Sequence, residues 1–209
     1  MLPAVAVDLT NLVAPGHTVL VTQECQNGII GADASLRELA DAAASMRVVA
    51  GELTAAARAA GIPVIHCVAW RRPDGKAAST NARMYAAAVK SGLQLTPGSH
   101  VADVIPEIGV EEEDIVLGRY HGLGPMGGTD LDMVLRNLGA TTVIGVGVSV
   151  NVGMLSFGLD AVNHGYQFVL PRDAVAGIPT DYADAVIDNS FRVFSTVTTT
   201  ADLLAAWKS

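Results

Sequence analysis

Three short apolar runs in this chain each end in residues able to do chemistry. Residues 18–22 run into Gln23-Glu24-Cys25-Gln26-Asn27, residues 114–118 into Arg119-Tyr120-His121-Gly122, and residues 142–148 into Ser149 and a segment through Gly153. A carboxylate, a permanent cation and a cluster of backbone amides are what a site needs to move a proton, hold an anion and stabilise an oxyanion. Glu24 is the candidate acid or base. Arg119 shuttles no protons near neutrality, but its planar fork suits a carboxylate, either by pairing with Glu24 or by clamping a carboxylate of the substrate. Ser149, Asn151, Val152 and Gly153 stand where a helix begins, and its free N–H groups and positive dipole end favour an anion. His121 lies in a glycine-rich loop beside Arg119 and is a further candidate for the pocket. Each has a plainer reading: Glu24 as an exposed acid, Arg119 as a structural ion pair, Asn151 as a helix cap, His121 as an ordinary loop histidine.

The elements that must position these residues alternate strand with helix. Apolar, β-branched runs predict strands over 18–23, 63–70, 114–118, 142–148, 166–170 and 196–199. The clearest helix spans 35–60. Ser35 and Glu38 form a capping box there, and Leu36, Leu39, Ala43, Met46, Ala50, Leu53 and Ala57 make one apolar stripe. Gly61 and Pro63 end it. Further helices are expected over 81–91, from Thr129 or Asp130 to 138, and over 151–164, 181–194 and 201–207. The alternation predicts parallel βαβ units. The fold is then an α/β, three-layer α/β/α sandwich around a six-stranded, mainly parallel, Rossmann-like sheet of order 3-2-1-4-5-6. A single domain over 1–209 is expected, with 1–17 as an extended arm that is loosely ordered or packed on a neighbour. In such sheets ligands bind beyond the carboxyl ends of the strands, where Glu24, Arg119 and Gly153 all fall.

Composition narrows the classes. The chain has 209 residues, half of them apolar, and carries 13 basic against 21 acidic residues for a net charge of −8. That balance argues against a nucleic-acid or anionic-membrane surface. No apolar run reaches the roughly 18–20 residues of a membrane span, and no secretory signal is visible, so a cytoplasmic location is expected. The two cysteines, Cys25 and Cys67, make no disulfide framework and read as buried small apolar residues. His66, inside a strand, reads as a hydrogen-bonded core or rim histidine. The 151–164 helix is apolar on nearly all sides, so a further layer or a partner chain is expected over it, and with it a homo-oligomer.

The motifs together resemble those of the isochorismatase-like hydrolases. VLVTQECQNG resembles their first motif, a strand ending in an acid, an apolar residue and Gln-Asn. GGTDLDMVLRNLGATTVIGVGVSVNVGM resembles the second, and GYQFVLPRDAVAG the tail, so the resemblance covers about residues 18–195. It implies a hydrolase whose usual triad is Asp, Lys and Cys. By position the Asp falls on Glu24, the Lys on Arg119 and the Cys on Gly153, so all three differ. Glycine excludes a thioester at that position. The family's isochorismate-cleaving branch also lacks the cysteine and is thought to use acid catalysis from the carboxyl group. The resemblance further implies a small-molecule substrate, oxyanion-binding amides at Val152 and Gly153, a cis peptide at Val148–Ser149 and association of subunits. The family's metal-binding branch uses an Asp-x-His pair that this chain lacks, so neither metal nor other cofactor is expected. Two functions follow from the altered triad: a non-thiol hydrolase acting on a small anionic metabolite, with Cys67 also weighed as a displaced nucleophile, or a catalytically inactive binding or scaffold protein.

Overall fold

Thr142–Val148, rich in β-branched residues, forms a strand buried along its whole length, as the middle of a parallel sheet requires. The computed structural model describes residues 7–208. In chain order its elements begin with α1 (Leu9–Leu12), β1 (Thr18–Gln23), α2 (Arg37–Ala42), α3 (Ala44–Ala59) and β2 (Val64–Ala69). There follow α4 (Arg83–Lys90), β3 (Ile115–Arg119), α5 (Leu131–Asn137), β4 (Thr142–Val148) and α6 (Leu155–Asn163). The last are β5 (Gln167–Pro171), β6 (Val175–Ala176), α7 (Thr180–Val186), α8 (Arg192–Phe194), β7 (Thr196–Thr198) and α9 (Thr200–Ala206).

The strands pair in parallel in the order β3-β2-β1-β4-β5-β7, with β6 beside the end of β4. This is the expected order, the expected sixth strand being β7. The two-residue β6 lies between Pro171 and Gly177 and is too short to show a periodic pattern. Alternation along β1 feeds two cores. Leu20 joins Met46 and Leu53 of α3 on one face, while Val19 and Val21 join Phe157 of α6 and Phe168 of β5 on the other. Helices therefore cover both faces, and every strand directs its carboxyl end to the same edge.

Several elements differ from expectation. The 35–60 helix breaks at Ala43 into α2 and α3. The Ser35–Glu38 capping box does not form; Leu36 stands at the helix start with no side-chain cap. α6 opens one residue early, as a π-helical turn over Val150–Met154. A second such turn, Ile187–Phe191, interrupts the helix expected over 181–194. β3 is displaced by one residue, leaving Asp114 outside the strand. The 1–17 segment is no extended arm over its described part. Leu12 and Val13 are buried in the first core, and Trp207 Nε1 donates to the Val13 carbonyl at 3.0 Å. Residues 1–6 of that expectation lie outside the described residues. Among the described residues no helix is long and apolar enough to cross a membrane.

Candidate active site

Gln23 ends β1 opposite Gly147 of β4 and Cys67 of β2. A Cβ on Gly147 would stand 2.2 Å from the Gln23 carbonyl oxygen, and its φ is +119°, so glycine alone permits this approach. The next residue, Glu24, has φ 55°, a left-handed conformation uncommon for a residue with a side chain. Its N–H still donates to the Cys67 carbonyl at 2.9 Å. The turn takes the Glu24 side chain off the sheet and onto the wall of a cavity.

There it meets the cation expected from the end of β3. Arg119 Nη2 donates to Glu24 Oε1 and, at 3.3 Å, to the Leu123 carbonyl. The Arg119 side chain is 5% exposed and that of Glu24 20%. The remaining Arg119 nitrogens, Nε and Nη1, are buried without a hydrogen-bond partner. Of the two roles expected for this fork, the pairing with Glu24 is the one formed, with the rest of the fork shielded. The Leu123 loop is itself held: Thr129 Oγ1 donates to the Pro125 carbonyl and accepts from Leu131 N at 3.2 Å, where α5 begins.

The third strand end is built differently from expectation. The Val148–Ser149 peptide is cis, as the motif implied. The N–H of Val152, expected in an anion cradle, instead donates to the Ser149 carbonyl at 3.0 Å, so the π-helical turn consumes it. Asn151 is not a cap either. It sits inside the turn, accepts from Ser149 Oγ at 2.8 Å and donates to the Ile178 carbonyl at 3.2 Å. Gly153 is buried, and a Cβ there would meet Gln23 Nε2 and the Leu123 oxygen at 3.1 Å and the Val148 oxygen at 3.3 Å. The room a side chain needs is thus already occupied on three sides.

All seven residues singled out from the sequence, His121 included, line one cavity of about 490 Å³. Gln23 escaped sequence reasoning. Its amide is fully buried against Gly153, and neither Nε2 nor Oε1 has a partner. The available signal was its place in β1, two residues beyond Val21 and so on the same inward face.

The neighbouring polar motif residues are structural. Gln26 accepts from Ala69 N at 2.7 Å and donates to the Ala69 and Ala102 carbonyls at 3.0 and 2.8 Å. Asn27 donates to the His100 carbonyl at 3.0 Å. His66 is the core histidine expected: Thr22 Oγ1 bonds its Nδ1 at 2.8 Å and Asp114 Oδ2 its Nε2 at 3.1 Å. Arg58 grips both oxygens of Asp114, at 3.2 and 2.6 Å. Burial pushes the imidazole below its ordinary value, against the pull of Asp114. A neutral His66 therefore donates to Asp114 and accepts from Thr22.

Both cysteines are free and buried. Burial pushes each thiol up to about 12; the Glu24 charge adds to this for Cys25, and Arg119 opposes it for Cys67. Cys67 does not line the cavity, and burial that disfavours its thiolate argues with that against a displaced nucleophile there. Among the described residues no three His, Cys, Asp or Glu side chains stand together as metal ligands.

An acid directly after β1, a cation at the end of β3 and the turn after β4 thus meet at one cavity, in which the thiol position is empty of side chain. The sequence model of the Isochorismatase domain matches residues 18–202, and the chain belongs to that family, within the isochorismatase-like hydrolases. It is similar to the isochorismatase family protein YwoC of Bacillus subtilis (strain 168), 31% identical over 103 residues, 49% of this chain and 54% of that one. The match thus spans about half the length of that relative. YecD of Escherichia coli O157:H7, of the same family, is 28% identical over 166 residues, 75% of this chain and 80% of its own. Among solved structures, an isochorismatase family protein from Burkholderia thailandensis superposes with a TM-score of 0.71 at 27% identity, covering 93% of this chain and 97% of that one.

Proposed function

We propose that this chain hydrolyses a small anionic metabolite without a thiol nucleophile. The observation that carries the reading is the Glu24–Arg119 pair on the wall of a cavity whose thiol position is Gly153. Water supplies the attacking oxygen. Glu24 takes its proton and returns it to the leaving atom as the bond to that atom breaks, so atoms and charge balance over the cycle. Arg119 holds Glu24 in place and exchanges no proton. The anionic preference rests on Arg71, a second cation on the cavity wall, whose guanidinium has no carboxylate partner among the described residues. Two free, unbridged cysteines support a cytoplasmic setting.

The test is turnover of isochorismate, nicotinamide, simple amides and ureides by the wild type and by Glu24→Gln. Cleavage that falls about a hundredfold or more in the variant supports the mechanism. Cleavage that survives it refutes the role of Glu24. Ligand binding with no turnover across the panel establishes the alternative, an inactive family member that binds a small molecule.

We further propose a homo-oligomer, supported by Leu159 and Val162 of α6 and the nearby Val193, which are exposed in the single chain. A monomer mass in light scattering overturns it.

A further inference from the structure

α4 is an amphipathic helix with no buried residue. Its Met84 and Tyr85 do not pack into either core; they line the same cavity as Glu24 and Arg119. Leu36 and Leu39 line it from the start of α2, and Trp70 and Leu95 from the segment around α4. Met84 is 47% exposed and Leu36 50%, high values for large apolar side chains that stand in a concavity. The Trp70 ring packs at 5.8 Å from Tyr120, beside the Arg119 strand end. The cavity lining is therefore mixed. Glu24, Arg119, Ser149 and Asn151 supply polar groups to it, and these aliphatic and aromatic residues supply a large apolar share. Its volume, about 490 Å³, belongs to the class of pockets that enclose a ligand well beyond the size of a simple amide.

We propose that the cavity takes a substrate with a polar, hydrolysable head and a bulky apolar body, a medium-chain acyl or an aryl group. The apolar face of α4 is continuous with the candidate site, and the body of the substrate is what covers it. Water-exposed Leu36 and Met84 in the lining of one pocket gain by burial against an apolar group bound there. The inference rests on the hydrolase reading for the chemistry of the head alone.

The probes are butanoate, hexanoate, octanoate and phenylacetate, with the matching primary carboxamides, titrated calorimetrically into the purified full chain. Affinity is expected to rise about fourfold per added methylene. Met84→Glu and Leu36→Glu, both at exposed positions that folding tolerates, are expected to flatten the series while leaving the circular dichroism unchanged. A flat series in the wild type, or no binding by any member, overturns the proposal. So does a change of molecular mass in Met84→Glu with the series unaltered, because the α4 face is then a contact between copies of this chain. Carboxamides that bind with the chain-length gradient and are not cleaved refute the hydrolase reading and leave this inference standing.

Discussion

Two polar clusters lie within the same sheet and are built to opposite rules. In the first, Thr22, His66, Asp114 and Arg58, every polar side-chain atom has a partner: Arg58 also donates to the carbonyls of Ile108 and Gly109, and Asp114 accepts from Glu111 N. In the second, Gln23 and Arg119 together leave four buried nitrogen and oxygen atoms without partners. Buried polar groups in native proteins are nearly always matched, and each exception asks for a reason. The closed cluster sets a core; the open one sits against Gly153 at the edge of the cavity. Unsatisfied polarity, more than shifted titration, marks the candidate site: the histidine most perturbed by burial belongs to the closed cluster.

That contrast yields graded predictions. The largest effect is expected from Asp114→Ala, which strands Arg58 and His66. It should cost about 3–5 kcal/mol in denaturant unfolding, while kcat per folded molecule stays near wild type. Loss of kcat at full stability would erase the distinction. Arg119→Met is expected to invert the pattern. Turnover falls about a hundredfold, and stability changes by less than about 1 kcal/mol, since two unpartnered donors leave the interior with the charge. Gln23→Leu goes further in the same direction: it removes two unmatched atoms at similar volume and is expected to stabilise by about 1 kcal/mol, with activity reduced. A destabilised Gln23→Leu would show that the amide has partners in solution. The smallest effect concerns pH. The folded chain holds His66 below its ordinary 6.5, so the unfolded chain binds the extra proton first. Stability therefore rises with pH below about 6.5 and levels off above it. Burial opposes ionisation of Asp114, yet its hydrogen bonds from Arg58, Glu111 N and His66 prevail and hold it below its ordinary 3.8, giving the same sign at lower pH. Urea midpoints are expected to drop between pH 7 and 5, and to drop less in His66→Gln.

The sequence carried the sheet because its central strands are buried on both faces and read as unbroken apolar runs. It carried Glu24, Arg119 and Gly153 because polar residues directly after such runs fall at one edge. What it hid depends on packing between distant segments. The break at Ala43 and both π-helical turns share the apolar periodicity of ordinary helix. The spent amide of Val152 follows from one of those turns. Gln23 looked like the first residue of a polar exit; its burial is decided by contact with Gly153, on another strand's helix. The sequence left Arg119 either paired with Glu24 or clamping a substrate, and the meeting of two strand ends decides for the pair.

Gln26 has a consequence for how this chain can change. Its one amide ties Ala69 to Ala102, so the intervening stretch is a closed loop fastened at its base. That loop holds Trp70, Met84, Tyr85 and Leu95, the apolar wall of the cavity, and none of Glu24, Arg119 or Gly153. Selection, or a protein engineer, can rewrite its exposed residues and leave the candidate site in register. The glutamine acts as the hinge-pin of a replaceable cassette, and exchanging cassettes between family members is a direct way to move specificity without rebuilding the site.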